Sequence, residues 1–298
     1  MRAAAILLSF AVPAGWAQAV ISAHSGMVNF VEGDVHLADR PVKLDGAIFP
    51  EVKPGQTLST QSGRAEILLT PGVFLRLDRN TSFQMISNKL TDTQVEILGG
   101  SALVEADEIL PDNRIAVKMG NSETMLLRTG LYHFDAAAGR VRTFAGKAQV
   151  SGASNSAELK RGRTLLVSSL AGPSLTPDRF DRNKSKDELY VWSEQRDSRL
   201  ELANISVAQD TNSNSFSSSL WAWDPGMSMF TFLPGSGYLS NPFGTAWYSP
   251  GTVWMSYMPG NGVSRGNPSA VNSSSQSTSR SSPSVGGAAR SSGPSRGR

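Results

Sequence analysis

From Gly26 to Ser169 hydrophobic and polar residues alternate with period two. Val73, Leu75 and Leu77 fall on one side of an extended chain, and Arg76 and Asp78 fall on the other. Val95 and Ile97 alternate with Gln94 and Glu96, and Ile115, Val117 and Met119 alternate with Lys118. Similar runs recur at 27–31, 65–69, 82–87, 102–106, 125–128, 131–134, 141–144, 148–150 and 165–168, many of them separated by Gly or Pro-Gly. Short strands about 8–12 residues apart, joined by tight turns with no helical period between them, predict an all-β domain. It is placed at 26–172. Each ribbon has one face to bury on the next layer. This predicts an elongated, solenoid-like stack of short strands, with a β-sandwich as the alternative that periodicity does not separate from it.

After Pro173 the period changes. Leu189, Trp192, Leu200 and Ala203 recur at helical spacing among mixed charges. The segment 177–207 therefore reads as an amphipathic helix, with its body from about Asp187 to Ala203. Its expected role is to lay Leu189, Trp192 and Leu200 on an end or flank of the scaffold, covering an open sheet edge. A polar linker is placed at 208–219. The segment 220–260 is rich in aromatics, Gly and Pro and is expected to be irregular, draped over a surface. The remainder, 261–298, is Ser, Gly, Pro and Arg with little to bury, a composition that predicts disorder.

Composition changes this picture in three places. Met1-Arg2, the apolar stretch Ala3–Val12 and the exit Ala17-Gln18-Ala19 form a charged start, an apolar middle and a small-residue cleavage site, so 1–19 reads as a signal peptide. The mature chain then has no spanning helix and sits in the periplasm or outside the cell. The formal charge of +3 is misleading: without Arg2 and the five Arg of 261–298 it becomes −3, so the basic balance belongs to the tail. The chain has 0 Cys, which excludes disulfides, thiolate catalysis and cysteine metal sites.

Several stretches of the β region, in their order and spacing, resemble the FecR-type domain of bacterial envelope proteins. These are Gly33-Asp34-Val35; Val52-Lys53-Pro54-Gly55-Gln56-Thr57-Leu58-Ser59-Thr60; Gly63-Arg64-Ala65-Glu66-Ile67-Leu68-Leu69; and Pro71-Gly72-Val73-Phe74-Leu75-Arg76-Leu77. Asn80-Thr81-Ser82-Phe83, Arg128-Thr129-Gly130-Leu131-Tyr132-His133-Phe134, Gly146-Lys147-Ala148-Gln149-Val150 and Leu159-Lys160-Arg161-Gly162 complete the set. In the Arg128 stretch Thr and Gly stand in exchanged order relative to the family. The resemblance spans about half of the chain. It implies a β-rich envelope module that engages other proteins or wall components. The best-known members relay a signal across one membrane helix to a σ factor. This chain lacks a cytoplasmic region ahead of such a helix, so the resemblance points to a stand-alone exported member.

Reactive constellations are sparse. His24, His36 and His133 show no metal-ligand spacing and read as surface or turn residues. Glu105 and Asp107 lie two apart and share a strand face, as a general acid/base pair would; beside Glu108, Asp112 and Pro111 the favoured reading is a solvated strand end. No G-x-S-x-G elbow or P-loop occurs. No catalytic, cofactor or metal residues are therefore assigned, and no nucleic-acid partner is expected. The aromatic segment supplies the candidate ligand or partner contacts, Trp221, Trp223, Trp247, Tyr248 and Trp254, because Trp and Tyr rings stack on sugars and form large protein contacts. The alternative is that these rings cap the scaffold. The expected function is a non-enzymatic exported interaction or signalling scaffold for envelope proteins. A cell-wall or polysaccharide binder is the second expectation, and a hydrolase using Glu105 and Asp107 the third.

Overall fold

The structure is a computed structural model and describes residues 25–44, 49–172, 175–211 and 217–257. The expected leader, His24, the Ser/Arg-rich tail and part of the polar linker lie outside the described residues.

The β region is two sheets between which the chain passes back and forth. In chain order, β1 (Met27–Glu32) lies in the first sheet, and β2 (Val35–Leu37), β3 (Arg40–Pro41) and β4 (Thr57–Thr60) in the second. Next, β5 (Arg64–Leu68) and β6 (Val73–Leu77) return to the first, and β7 (Ser82–Lys89) and β8 (Asp92–Gly99) to the second. The alternation continues with β9 (Ser101–Ala106) in the first, β10 (Arg114–Met119) and β11 (Ser122–Leu126) in the second, and β12 (Gly130–Asp135) and β13 (Arg140–Ala145) in the first. It ends with β14 (Lys147–Ser151) and β15 (Ser156–Lys160) in the second, and β16 (Arg163–Leu166) and β17 (Asp178–Arg179) in the first.

The 8-stranded sheet runs β1-β5-β6-β9-β12-β13-β16-β17, strictly in sequence order. The 9-stranded sheet runs β15-β14-β11-β10-β8-β7-β4-β2-β3, in sequence order apart from the β2/β3 exchange. The fold is thus all-β, and the expected stack of short strands is realised as two progressive layers. Pairing is antiparallel except between β8 and β10. The inward faces, among them Ile67, Val73, Leu75 and Val104 from one sheet and Phe83, Val95, Ile97 and Val117 from the other, make one core.

Glycine is required at two of the points where the chain switches sheets. Gly100 joins β8 to β9 with φ +79, and a Cβ there would lie 2.5 Å from the Asn80 carbonyl oxygen. Gly146 joins β13 to β14 with φ +89, where a Cβ would lie on the Tyr132 hydroxyl. That hydroxyl accepts from the Lys147 N–H at 3.0 Å and also hydrogen-bonds the Arg128 carbonyl; burial pushes its pKa up to about 12.

The period-two strands differ in what lies outside them. In β7 and β8, in the second sheet, buried and partly exposed residues alternate. In β5 and β6, in the first sheet, every residue is buried. The first sheet therefore has a covered outer face. Its cover is α1 (Glu188–Asp210), the hairpin β18 (Leu220–Asp224) with β19 (Met229–Leu233), the hairpin β20 (Tyr238–Ser240) with β21 (Ala246–Tyr248), and α2 (Pro250–Tyr257).

Two expectations need correction. Helix α1 covers a sheet face rather than an edge: Leu189 and Trp192 pack with Leu103, Leu131 and Phe144, and Leu200 packs with Leu68 and Phe74. The helix also runs seven residues beyond the expected Ala203. Asn204 stays helical because its side chain serves two strands, donating to the Phe232 carbonyl at 2.9 Å and accepting from the Tyr248 N–H at 2.8 Å. The segment 220–260, expected to be irregular, holds two hairpins and a helix in its described part. Alternate aromatic positions pair across β18 and β19 (Trp221 opposite Phe232, Trp223 opposite Phe230), and this pairing, with a sheet beneath it, stabilises a ribbon. No described helix is long and apolar enough to cross a membrane.

Candidate functional site

The densest polar site lies on the outer face of the first sheet, beneath α1. Strand pairing sets Glu66 of β5 directly opposite Arg76 of β6, and Glu105 of β9 lies diagonal to Arg76. Arg76 Nε donates to Glu66 Oε2 at 2.9 Å, and its Nη1 donates to Glu105 Oε2. From α1, Arg196 Nη2 donates to Glu66 Oε1 at 2.8 Å, and its guanidinium lies 4.0 Å over the Phe30 ring. A bulge in β1 at Asn29 turns that amide onto the same face. It donates to Glu66 Oε1 and to the Phe230 carbonyl, both at 2.9 Å, and accepts from the Phe230 N–H.

Asp197, one residue beyond Arg196, accepts from Thr245 Oγ1 at 2.5 Å and from the Asn241 amide, tying α1 to the β20–β21 hairpin. Its Oδ1 lies 4.0 Å from Arg76 Nη2. Asp107, just past β9, accepts from the Trp247 indole at 2.8 Å. All six charged groups are buried. Burial opposes ionisation of Glu66, but Arg196 and Arg76 outweigh it and hold its pKa down to about 2. Burial raises Glu105 and Asp107 well above the carboxylate range, and neighbouring carboxylates add to the shift. Burial also raises Asp197, against the pull of Arg76.

The structure thus overturns the solvated-strand-end reading of Glu105 and Asp107. Both share one face, as the spacing predicts, but that face carries a second layer. Their signal in the sequence was a charge flanked by apolar neighbours, as in Leu103-Val104-Glu105-Ala106, combined with a distant aromatic segment that needed a surface to cover.

His133 is also buried rather than on the surface or in a turn. Its Nε2 lies 3.0 Å from Asp187 Oδ2 and 3.1 Å from Ser101 Oγ. Both partners meet the same ring nitrogen, so the three cannot act as a nucleophile–base–orienter relay, which needs opposite nitrogens. Asp187 is the cap of α1, accepting from the Tyr190 N–H at 2.9 Å, so this contact anchors the start of the helix. His36 lies in β2, 3.3 Å from Asp34. No group of three or more acidic or His side chains among the described residues could hold a metal ion.

Three of the five candidate aromatic contacts, Trp221, Trp223 and Trp247, come together in one cluster beneath the C-terminal layer. Trp221 and Trp247 are buried against Phe74, at 4.9 and 5.9 Å between ring centroids. Trp223 is half-buried between Phe49 and Phe230. Those rings serve as the cap. Tyr248 is half-buried beside Tyr238, centroids 6.5 Å apart, and Trp254 of α2 is 55% exposed.

Among the described residues, an apolar cleft of about 560 Å³ lies at the turn ends of the two sheets. Ile97, Met119 and Leu170 of the inter-sheet core line it together with the exposed Leu98, and no charged side chain does so.

No family model matches this chain, and no curated protein matches it. Two solved structures of a candidate anti-sigma factor from Parabacteroides distasonis are similar to it. One has a TM-score of 0.37 at 15% identity, over 43% of this chain and 61% of its own. The other has a TM-score of 0.38 at 14% identity, over 46% of this chain and 64% of its own. The match spans less than two thirds of either structure's length, and at these values the likeness carries no functional argument.

Proposed function

We infer that this chain is an exported, non-enzymatic, FecR-like envelope protein that serves as an interaction scaffold in signalling. The observation that carries the reading is the sealing of its convergent ionisable groups. Glu66, Arg76, Glu105, Asp107, Arg196 and Asp197 lie between a sheet and its covering layer, where their hydrogen bonds join the two. A substrate would have to displace that layer to reach them. The motif order from Gly33 to Gly162 and the leader at 1–19 support the same reading. The apolar cleft beside Leu98 supplies contact area of the kind that binding sites use. The partners are envelope proteins. Affinity capture from native envelopes with the full chain tests this: a saturable partner lost in Leu98→Asp supports it. No saturable partner, together with unchanged envelope signalling and integrity on deletion, overturns it.

A second reading, binding of a cell-wall polymer, is favoured by one observation. Tyr238, beside Tyr248, and Trp254 of α2 remain at the surface of the C-terminal layer, 56% and 55% exposed. Fluorescence titration with wall glycans, with and without Trp254→Ala, tests it. A saturable change abolished by the substitution supports it, and an unchanged spectrum with every polymer counts against it.

A further inference from the structure

The buried site contains two guanidinium groups, Arg76 and Arg196, and four carboxyls, Glu66, Glu105, Asp107 and Asp197. Fully ionised, it would hold two uncompensated negative charges away from water, an arrangement that folded proteins avoid by taking up protons. The hydrogen bonds point the same way. Glu105 Oε1, Asp107 Oδ1 and Asp197 Oδ1 receive no N–H or O–H donor, although Arg76 Nη2 and Arg196 Nε and Nη1 have no hydrogen-bond acceptor. Glu105 and Asp197 meet at one guanidinium, Arg76, whose Nη1 donates to Glu105 and whose Nη2 lies 4.0 Å from Asp197 Oδ1, and Asp107 is buried two residues beyond Glu105 on the same face. Two protons bring the site to neutrality.

We propose that Asp107, Glu105 and Asp197 form a buried carboxyl chain that holds two protons in the folded protein at neutral pH and latches the C-terminal layer to the first sheet. The protons belong to the chain as a whole rather than to single residues. Each end of the chain holds part of the layer: Asp107 through the Trp247 indole, and Asp197 through Thr245, Asn241 and its own place on α1. The other groups facing it are Arg76 and Glu66 from the sheet, Arg196 from α1, and Glu201, whose Oε1 accepts from the Ala246 N–H at 3.4 Å; β21 brings only uncharged partners.

The sign of the pH dependence follows. The folded chain keeps protons that the unfolded carboxyls release in the ordinary range near 4. Its contribution is complete below that range and is lost as pH rises, tenfold in the folding equilibrium per pH unit for each proton held, until the folded chain itself deprotonates.

Two measurements on the full-length protein test the latch. At pH 7 the wild type should show the infrared C=O stretch of a protonated carboxyl, absent from the double variant Glu105→Gln/Asp107→Asn. In urea unfolding from pH 5 to 9, the wild type should lose stability with rising pH at a slope of ten- to a hundredfold per unit through part of that range, and the double variant should be flat. The two amides reproduce the protonated pattern without a titrating group. A wild type without the band at pH 7, or with a pH profile parallel to that of the double variant, overturns the proposal. Should the double variant fail to fold, Asp197→Asn serves in its place, and the wild-type band decides by itself.

Discussion

Replacing Glu66 with Gln should destabilise the protein by about 3 kcal/mol at pH 7, and the penalty should fade in acid. Glu66 is fully buried and is the anion shared by Arg76, Arg196 and the Asn29 amide. Its pKa falls from 4.5 to about 2 on folding. At about 1.4 kcal/mol per unit, that difference corresponds to about 3 kcal/mol of stability. An independent route gives the same size. The amide leaves Arg196 without its anion, and breaking a buried pair by removing one partner costs about 3–5 kcal/mol.

The sign is that of a depressed carboxyl. Its contribution is present above the unfolded value of 4.5 and is lost as pH falls through about 2. Urea unfolding of wild type and Glu66→Gln, followed by Trp fluorescence at pH 7, 5 and 3, measures it. The gap should stay near its full size at pH 7 and fall below half by pH 3. A gap under about 1 kcal/mol at pH 7, or one of constant size across the series, would refute the reasoning, because the effect would then be steric rather than electrostatic.

Asn204→Ala should cost about 1–3 kcal/mol, because it leaves the Tyr248 N–H and the Phe232 carbonyl without their buried partner. Hydrogen exchange should locate the loss in the last turns of α1 and in β21, while β10 and β11 stay protected. Gly100→Ala should lower stability by at least about 1–3 kcal/mol, since a Cβ would meet the Asn80 carbonyl in a left-handed backbone; an unchanged melting temperature would show that the switch between sheets adapts.

The strands were legible because alternation of apolar and polar residues is a local property. It placed Val73, Leu75 and Leu77 together and Arg76 opposite them, and both assignments hold in β6. What lay beyond Arg76 was not legible. Period two says which residues share a face but not whether that face meets water, and Arg76 is buried as fully as Leu75. The same limit applied to Glu105, Asp107 and His133. Helix α1 was visible from Leu189, Trp192 and Leu200, yet its buried side also carries Arg196, Asp197 and Asn204, which blur its apolar stripe. Polar residues at buried helix positions make sense only once their partners on another element are known. The aromatic segment announced a need for burial; that Trp221 and Trp247 meet it on Phe74 depends on a contact across more than 140 residues.

By itself the sequence determined the all-β class, the period of each ribbon and the positions of its Gly switch points, because side-chain alternation and positive φ are decided within a few residues. The tertiary structure decided which sheet face is covered and which charges share one buried site. Those outcomes depend on α1 and the two hairpins folding back onto β5, β6 and β9, and the free energy of a charge depends on what surrounds it in space, not on its neighbours along the chain.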